Sequence, residues 1–125
     1  MQDYRKLAVW KRAHKLTLLV YGFTSKFPRE EVYGLTSQIR RAASSIPANL
    51  AEGCGRETNA ELARFLQIAL GSANELEYHL LLAKDLGYLS EASFGANAQE
   101  ASEIKKMLSG LLSKVRTTRV RPAQP

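Results

Sequence analysis

From Leu62 to Ala83 the apolar residues Leu62, Leu66, Ala69, Ala73, Leu76, Leu80 and Ala83 recur at alternating spacings of four and three. That alternation marks a helix with one continuous apolar stripe, and strand-like alternation is absent throughout the chain. A stripe this long must be buried against other helices. At 125 residues the chain has room for one domain and a real core, but not for two comfortable ones.

Three further stretches supply the partners. Val9, Ala13, Leu16, Val20, Phe23 and Phe27 form a similar seam, widened by Trp10, Leu18 and Tyr21, which predicts a first helix from about Arg5 to Lys26. Pro28 ends it, because the residue before a proline is pushed out of the helical region. A second helix is expected from Glu30–Tyr33 to about Ala51, with Leu35, Ile39, Ala42, Ile46 and Leu50 inside. Pro47 sits within it, lacks an N–H and meets the carbonyl of Ala43, which costs about 3 kcal/mol in an unadapted helix. A kink near Pro47, with Ser44 or Ser45 satisfying freed backbone groups, is favoured over a break and restart because the apolar period passes through unshifted.

Gly53 and Gly55 close that segment, and Thr58 or Asn59 suits the N-cap of the third helix, which Gly87 ends. Ser90 is placed to cap a fourth helix whose seam is Ala101, Ile104, Leu108, Leu111 and Val115 and which fades near Arg116. The expected architecture is an all-α, antiparallel up-down four-helix bundle over residues 1–116, followed by a flexible basic tail, 117–125.

Composition excludes several classes. Hydrophobic residues at 45% and charged residues at 24% are ordinary values for a soluble globular chain. The single cysteine, Cys54, forbids an intrachain disulfide. No signal-peptide core and no membrane-length apolar run are visible, so a cytoplasmic location is expected.

The net charge of +6 is unevenly placed. Residues 1–41 hold nine basic and three acidic side chains, residues 42–113 five and nine, and residues 114–125 four basic ones. Basic ends around an acidic middle suit an anionic partner such as nucleic acid, and equally suit head-to-tail packing of copies. The candidate nucleic-acid contacts are Arg5, Lys6, Arg12 and Lys15 on the first helix, Arg40 and Arg41 on the second, and Arg116, Arg119 and Arg121 at the end. In an up-down bundle the N-terminal group and the C-terminal tail meet at one end. Phosphate contact needs only clustered charge, and no helix-turn-helix, zinc-finger or RNP signature promises sequence readout.

Catalysis and metal binding find little support. His14 and His79 lie on different helices, and Glu75 precedes His79 by four residues where a ferritin-like site wants three. Ser44, Ser45 and Cys54 lack the context of an activated nucleophile. The best enzymatic reading would use Glu52 as a base, oriented by Asn49 near Arg41 or Arg56. The simpler reading makes Asn49 and Glu52 a hydrogen-bonded brace. No catalytic residue, cofactor or metal is therefore expected.

With LAVWKRAHKL, FPREEVYGLTSQIRRAASSIPANLAEG and FLQIALGSANELEYHLLLAKDLGYL in view, the chain resembles the bacterial four-helix-bundle family of the 23S ribosomal RNA intervening-sequence protein. The resemblance spans most of residues 7–89. It implies a ring-like homo-oligomer, typically a pentamer, and no established reaction. The related accessory variability determinants of diversity-generating retroelements share the bundle and look like basic pentamers that bind nucleic acid and a reverse transcriptase. By analogy, this chain is expected to be a non-enzymatic oligomer that binds RNA or DNA, or else a protein-interaction scaffold that does not. The small residues Ala42, Ala43, Ser44, Ala69, Gly71 and Ser72 would then permit close packing within or between subunits.

Overall fold

The computed structural model describes residues 3–119 and contains, among them, four long helices and no strand. They are α1 (Ala8–Thr24), α2 (Leu35–Cys54), α3 (Asn59–Asp85) and α4 (Glu91–Arg119). Contacts across the helix pairs set their directions. Thr17 meets Ala43 and Thr24 meets Arg40; Ser45 meets Ser72 and Gly53 lies against Leu62; Glu77 meets Lys105 and Lys84 lies over Phe94. Residue numbers thus rise along one helix as they fall along its neighbour. α1, α2, α3 and α4 follow one another around the bundle, α4 returns to α1, and the backbones of the diagonal pairs α1/α3 and α2/α4 stay more than 8 Å apart.

The core is built from the expected seams. Leu16, Ile39, Ile46, Leu50, Leu66, Leu76, Leu80, Ile104 and Leu108 are fully buried. Each such side chain contributes about 1.5–3 kcal/mol relative to leaving it in water. Some seam positions fall differently. Leu112, not Leu111, takes the buried place in α4, and Leu18 and Tyr21 do not widen the stripe of α1 but face solvent.

The first helix is shorter than its periodicity suggests. Asp3 accepts the Arg5 N–H and caps a single 3₁₀ turn, Tyr4–Lys6, after which Leu7 is extended and α1 starts at Ala8. At the other end, the Lys26 and Phe27 N–H groups bond back three residues to Phe23 and Thr24, which tightens the chain before Pro28 is reached. A second 3₁₀ turn, Arg29–Glu31, precedes α2. Gly34 at the N-cap has no side chain to offer, and Glu31 Oε1 accepts the Leu35 N–H at 3.0 Å in its place. The other oxygen of Glu31 accepts from Tyr88 Oη at 3.0 Å, which ties this connection to the one between α3 and α4.

α2 runs unbroken through Pro47. The carbonyl of Ala43, left without its helical donor, faces Thr17 Oγ1 at 3.1 Å. The donor therefore comes from α1, not from Ser44 or Ser45. Ser45 instead bonds Ser72 across the α2/α3 seam at 2.8 Å. Thr58 caps α3 through the Glu61 N–H, Ser90 caps α4 through the Ser93 N–H, and Gly87 turns the chain with φ +83°.

α4 continues past Arg116 to Arg119, so residues 117–119, expected in the tail, are helical. Thr117 and Thr118 donate their hydroxyls to the Ser113 and Lys114 carbonyls. Arg121 and the rest of the expected tail lie outside the described residues.

Candidate nucleic-acid interface

Between Tyr4 and Pro28 the chain carries Arg5, Lys6, Lys11, Arg12, Lys15 and Lys26 and not one carboxylate. α1 therefore has no acidic residue of its own to neutralise its cations. Only two of them find partners elsewhere. Arg5 is exposed and folds onto Asp3. Arg12 reaches α4, where Nε and Nη2 donate to the two oxygens of Glu100 at 2.8 and 2.7 Å. That bidentate pair holds the Glu100 carboxyl below the usual carboxylate range. Among the described residues no carboxylate pairs with Lys6, Lys11, Lys15 or Lys26, and all four are exposed.

Aromatic rings lie among these cations. Trp10 stacks on His14 with centroids 4.9 Å apart and an interplanar angle of 9°, and Tyr4 meets Trp10 edge-on at 5.0 Å. His14 is exposed, and Lys11 stands one turn before it on the same side of the helix. Exposed cations interleaved with aromatic faces suit a polyanion that also presents flat bases.

The structure separates the other sequence candidates. Arg5, Lys6 and Arg116 share the end of the bundle where α1 begins and α4 finishes. Arg40 and Arg41 sit toward the opposite end. Arg40 is engaged: Nε donates to Thr24 Oγ1 at 2.7 Å, Nη2 donates to the Tyr21 carbonyl, and the guanidinium lies 4.6 Å from the Tyr21 ring centroid. It secures the last turn of α1. Arg41 is exposed and lines a polar hollow with Tyr33, Ser37, Gln38, Ser45 and Glu75. Arg119 ends α4. Lys11 and Lys26 join the same exposed run, which the absence of acidic residues from Tyr4 to Pro28 marks out in the sequence.

The enzymatic constellation does not assemble. Glu52 accepts from Arg56 at 2.7 Å, while Asn49 Nδ2 donates back to the carbonyl and hydroxyl of Ser45 at 2.7 and 2.9 Å. Asn49 and Glu52 thus turn to different partners and do not brace one another. The hollow beside Arg56 is lined by Gly53, Cys54, Thr58, Leu62 and Lys114 among others, but by neither Asn49 nor Glu52. Among the described residues no group of three or more His, Cys, Asp or Glu side chains could hold a metal ion. No helix there is long and apolar enough to cross a membrane.

The sequence profile of the 23S rRNA-intervening sequence protein family matches residues 5–110, which takes in α1, α2, α3 and most of α4. The chain belongs to that family. Among solved structures, a protein of unknown function from the S23 ribosomal protein family of Bacteroides thetaiotaomicron is similar, with a TM-score of 0.78 and 25% identity over 84% of this chain and 95% of the other. No curated protein matches the chain significantly. The family match ends within α4, so the basic residues beyond it, Lys114, Arg116 and Arg119, lie outside the matched region.

Proposed function

We propose that this member of the 23S rRNA-intervening sequence protein family is a non-enzymatic, self-associating bundle that binds RNA or DNA through its basic surfaces, foremost the solvent face of α1. The observation that carries this reading is the acid-free run from Tyr4 to Pro28, whose exposed lysines have no ion-pair partner among the described residues. Interleaved Tyr4, Trp10 and His14 add a stacking surface. The engagement of Glu52 with Arg56 and of Asn49 with Ser45 supports a role without catalysis. We place the protein in the cytoplasm as a ring-like homo-oligomer, a pentamer by resemblance to its family.

The test is a salt-titrated mobility-shift assay on single-stranded RNA and duplex DNA. Wild-type affinity should fall steeply with salt, and the charge-reversed pair Lys6→Glu, Lys11→Glu should weaken binding and flatten the log–log salt slope by about 2. Absence of binding at low salt removes the reading.

A second reading, a protein-interaction scaffold, draws on the apolar side chains Leu18, Leu19, Tyr21 and Tyr33 left on the surface. A stable protein partner that survives nuclease treatment would favour it over nucleic acid.

A further inference from the structure

We propose that copies of this chain join head to tail, with the Val32–Tyr33 corner of one seated in the groove between α1 and α4 of the next. This rests on the self-association reading above and assigns the two surfaces that make the contact. The groove is large, about 840 Å³, and its floor is apolar, from Leu18, Leu19, Gly22, Phe23 and Ala96. Leu18 and Leu19 are 59% and 51% exposed, and a methyl group added at Gly22 would meet nothing within 4 Å. The corner has the opposite shape. Tyr33 is 96% exposed beside Val32 at 48%, just ahead of α2. A tyrosine buries about 150–250 Å² when it finds a pocket, and here nearly all of that surface stands in water.

Position makes the two surfaces complementary between copies and not within one. The groove lies on the α1/α4 side, and Tyr33 lines a hollow on the α2/α3 side, which is the opposite side because α1/α3 and α2/α4 are the diagonals. Both lie in the half of the bundle where α1 ends and α2 begins. A contact between different surfaces at the same height is heterologous and repeats laterally with little rise. It closes into a ring where the rotation between copies divides a full turn and extends as a filament where it does not.

Charge selects the same pairing. Lys15 and Lys26 stand at the groove, where Arg12 and Glu100 are taken up by each other, while exposed Glu30 and Glu75 stand beside the corner. Arg29 and Arg41 also lie near the corner, so the attraction is a matter of local pairs and not of a long-range field. Groove against groove, by contrast, would bring together two surfaces whose charged side chains without an ion-pair partner, Lys15 and Lys26, are all cationic. The occupant is therefore a second copy's corner, not a second copy's groove.

The experiment uses full-length Tyr33→Ser and Leu19→Arg proteins, both altered at exposed positions, with Leu18→Arg as a second groove variant and circular dichroism to confirm helix content. Light scattering should give a multimer for wild type and a monomer for each variant. An equimolar mixture of Tyr33→Ser with Leu19→Arg should give a species of twice the subunit mass and no larger, because one intact corner meets one intact groove. A wild-type multimer whose mass survives folded variants at either surface would overturn the assignment and leave self-association standing. Variants that are monomeric alone and stay so when mixed would overturn the head-to-tail pairing. A monomeric wild type would remove the self-association reading itself, and this assignment with it.

Discussion

Thr17 Oγ1 lies 3.1 Å from the carbonyl oxygen of Ala43, the acceptor that Pro47 leaves without a helical donor. The same hydroxyl faces the Ala13 carbonyl at 2.8 Å, so a single proton is shared between its own helix and the neighbour. Thr17 is buried, and no water replaces a lost bond cheaply there. Thr17→Val keeps the shape and removes the donor, and should cost about 1–3 kcal/mol in urea unfolding. On a Pro47→Ala background the helix regains its own N–H for Ala43, and the penalty of Thr17→Val should shrink. Equal penalties on both backgrounds would show that the two residues are not coupled.

Gly53 and Gly71 should respond oppositely to alanine. A Cβ at Gly53 would sit 2.9 Å from Leu62 Cδ1 and 3.0 Å from Phe65 Cβ, where α2 and α3 close on each other. Overpacking of that kind costs typically about 1–3 kcal/mol. At Gly71 nothing lies within 4 Å, and the residue is exposed in mid-helix, so Gly71→Ala should stabilise by about 0.5–1 kcal/mol through helix propensity. Thermal melts of the two variants check both signs.

The Arg12–Glu100 pair should give the protein a small acid-sensitive component. Hydrogen bonding to Arg12 lowers the Glu100 carboxyl in the fold, so the unfolded chain takes up the proton first. The pair's contribution is present above the unfolded carboxylate's value, about 4.3, and fades as pH falls through the lower folded value. Both side chains are partly exposed, which keeps the effect modest. Glu100→Gln should flatten the decline of stability below about pH 4.3, as followed by denaturant melts at stepped pH.

Burial pushes the Cys54 thiol up, and the residue is 4% exposed. Its reaction with a disulfide reagent at neutral pH should be slow in the folded protein and fast in urea.

The bundle was legible because its seams are long and regular: the spacing from Leu66 to Ala83 and the Leu35–Leu50 seam both pointed to residues that are in fact buried, with Leu62 partly so. What the pattern could not show was where a seam stops being used. Leu18 and Tyr21 fit a wide stripe on α1, yet both face solvent, Leu18 at the open groove between α1 and α4 and Tyr21 beside Arg40 of α2. Roles of single cations were harder still. Arg12 and Arg40 look in sequence like Lys11 and Arg41, but their partners, Glu100 and Thr24, lie 88 and 16 residues away. Periodicity carries no signal for such pairings. The donor for the Ala43 carbonyl was sought in the nearby serines for the same reason, whereas it lies on another helix.

The separation of Arg12 from Glu100 also has a meaning in time. Chains are synthesised from the N-terminus at about 5–20 residues per second, so the 88 residues between them take roughly 4–18 s to make. During that interval α1 exists without the carboxylate that will clamp it, and α4 is the last helix to arrive. A nascent chain halted before Glu100 therefore presents Arg12 alongside the lysines, a more cationic first helix than the finished fold displays.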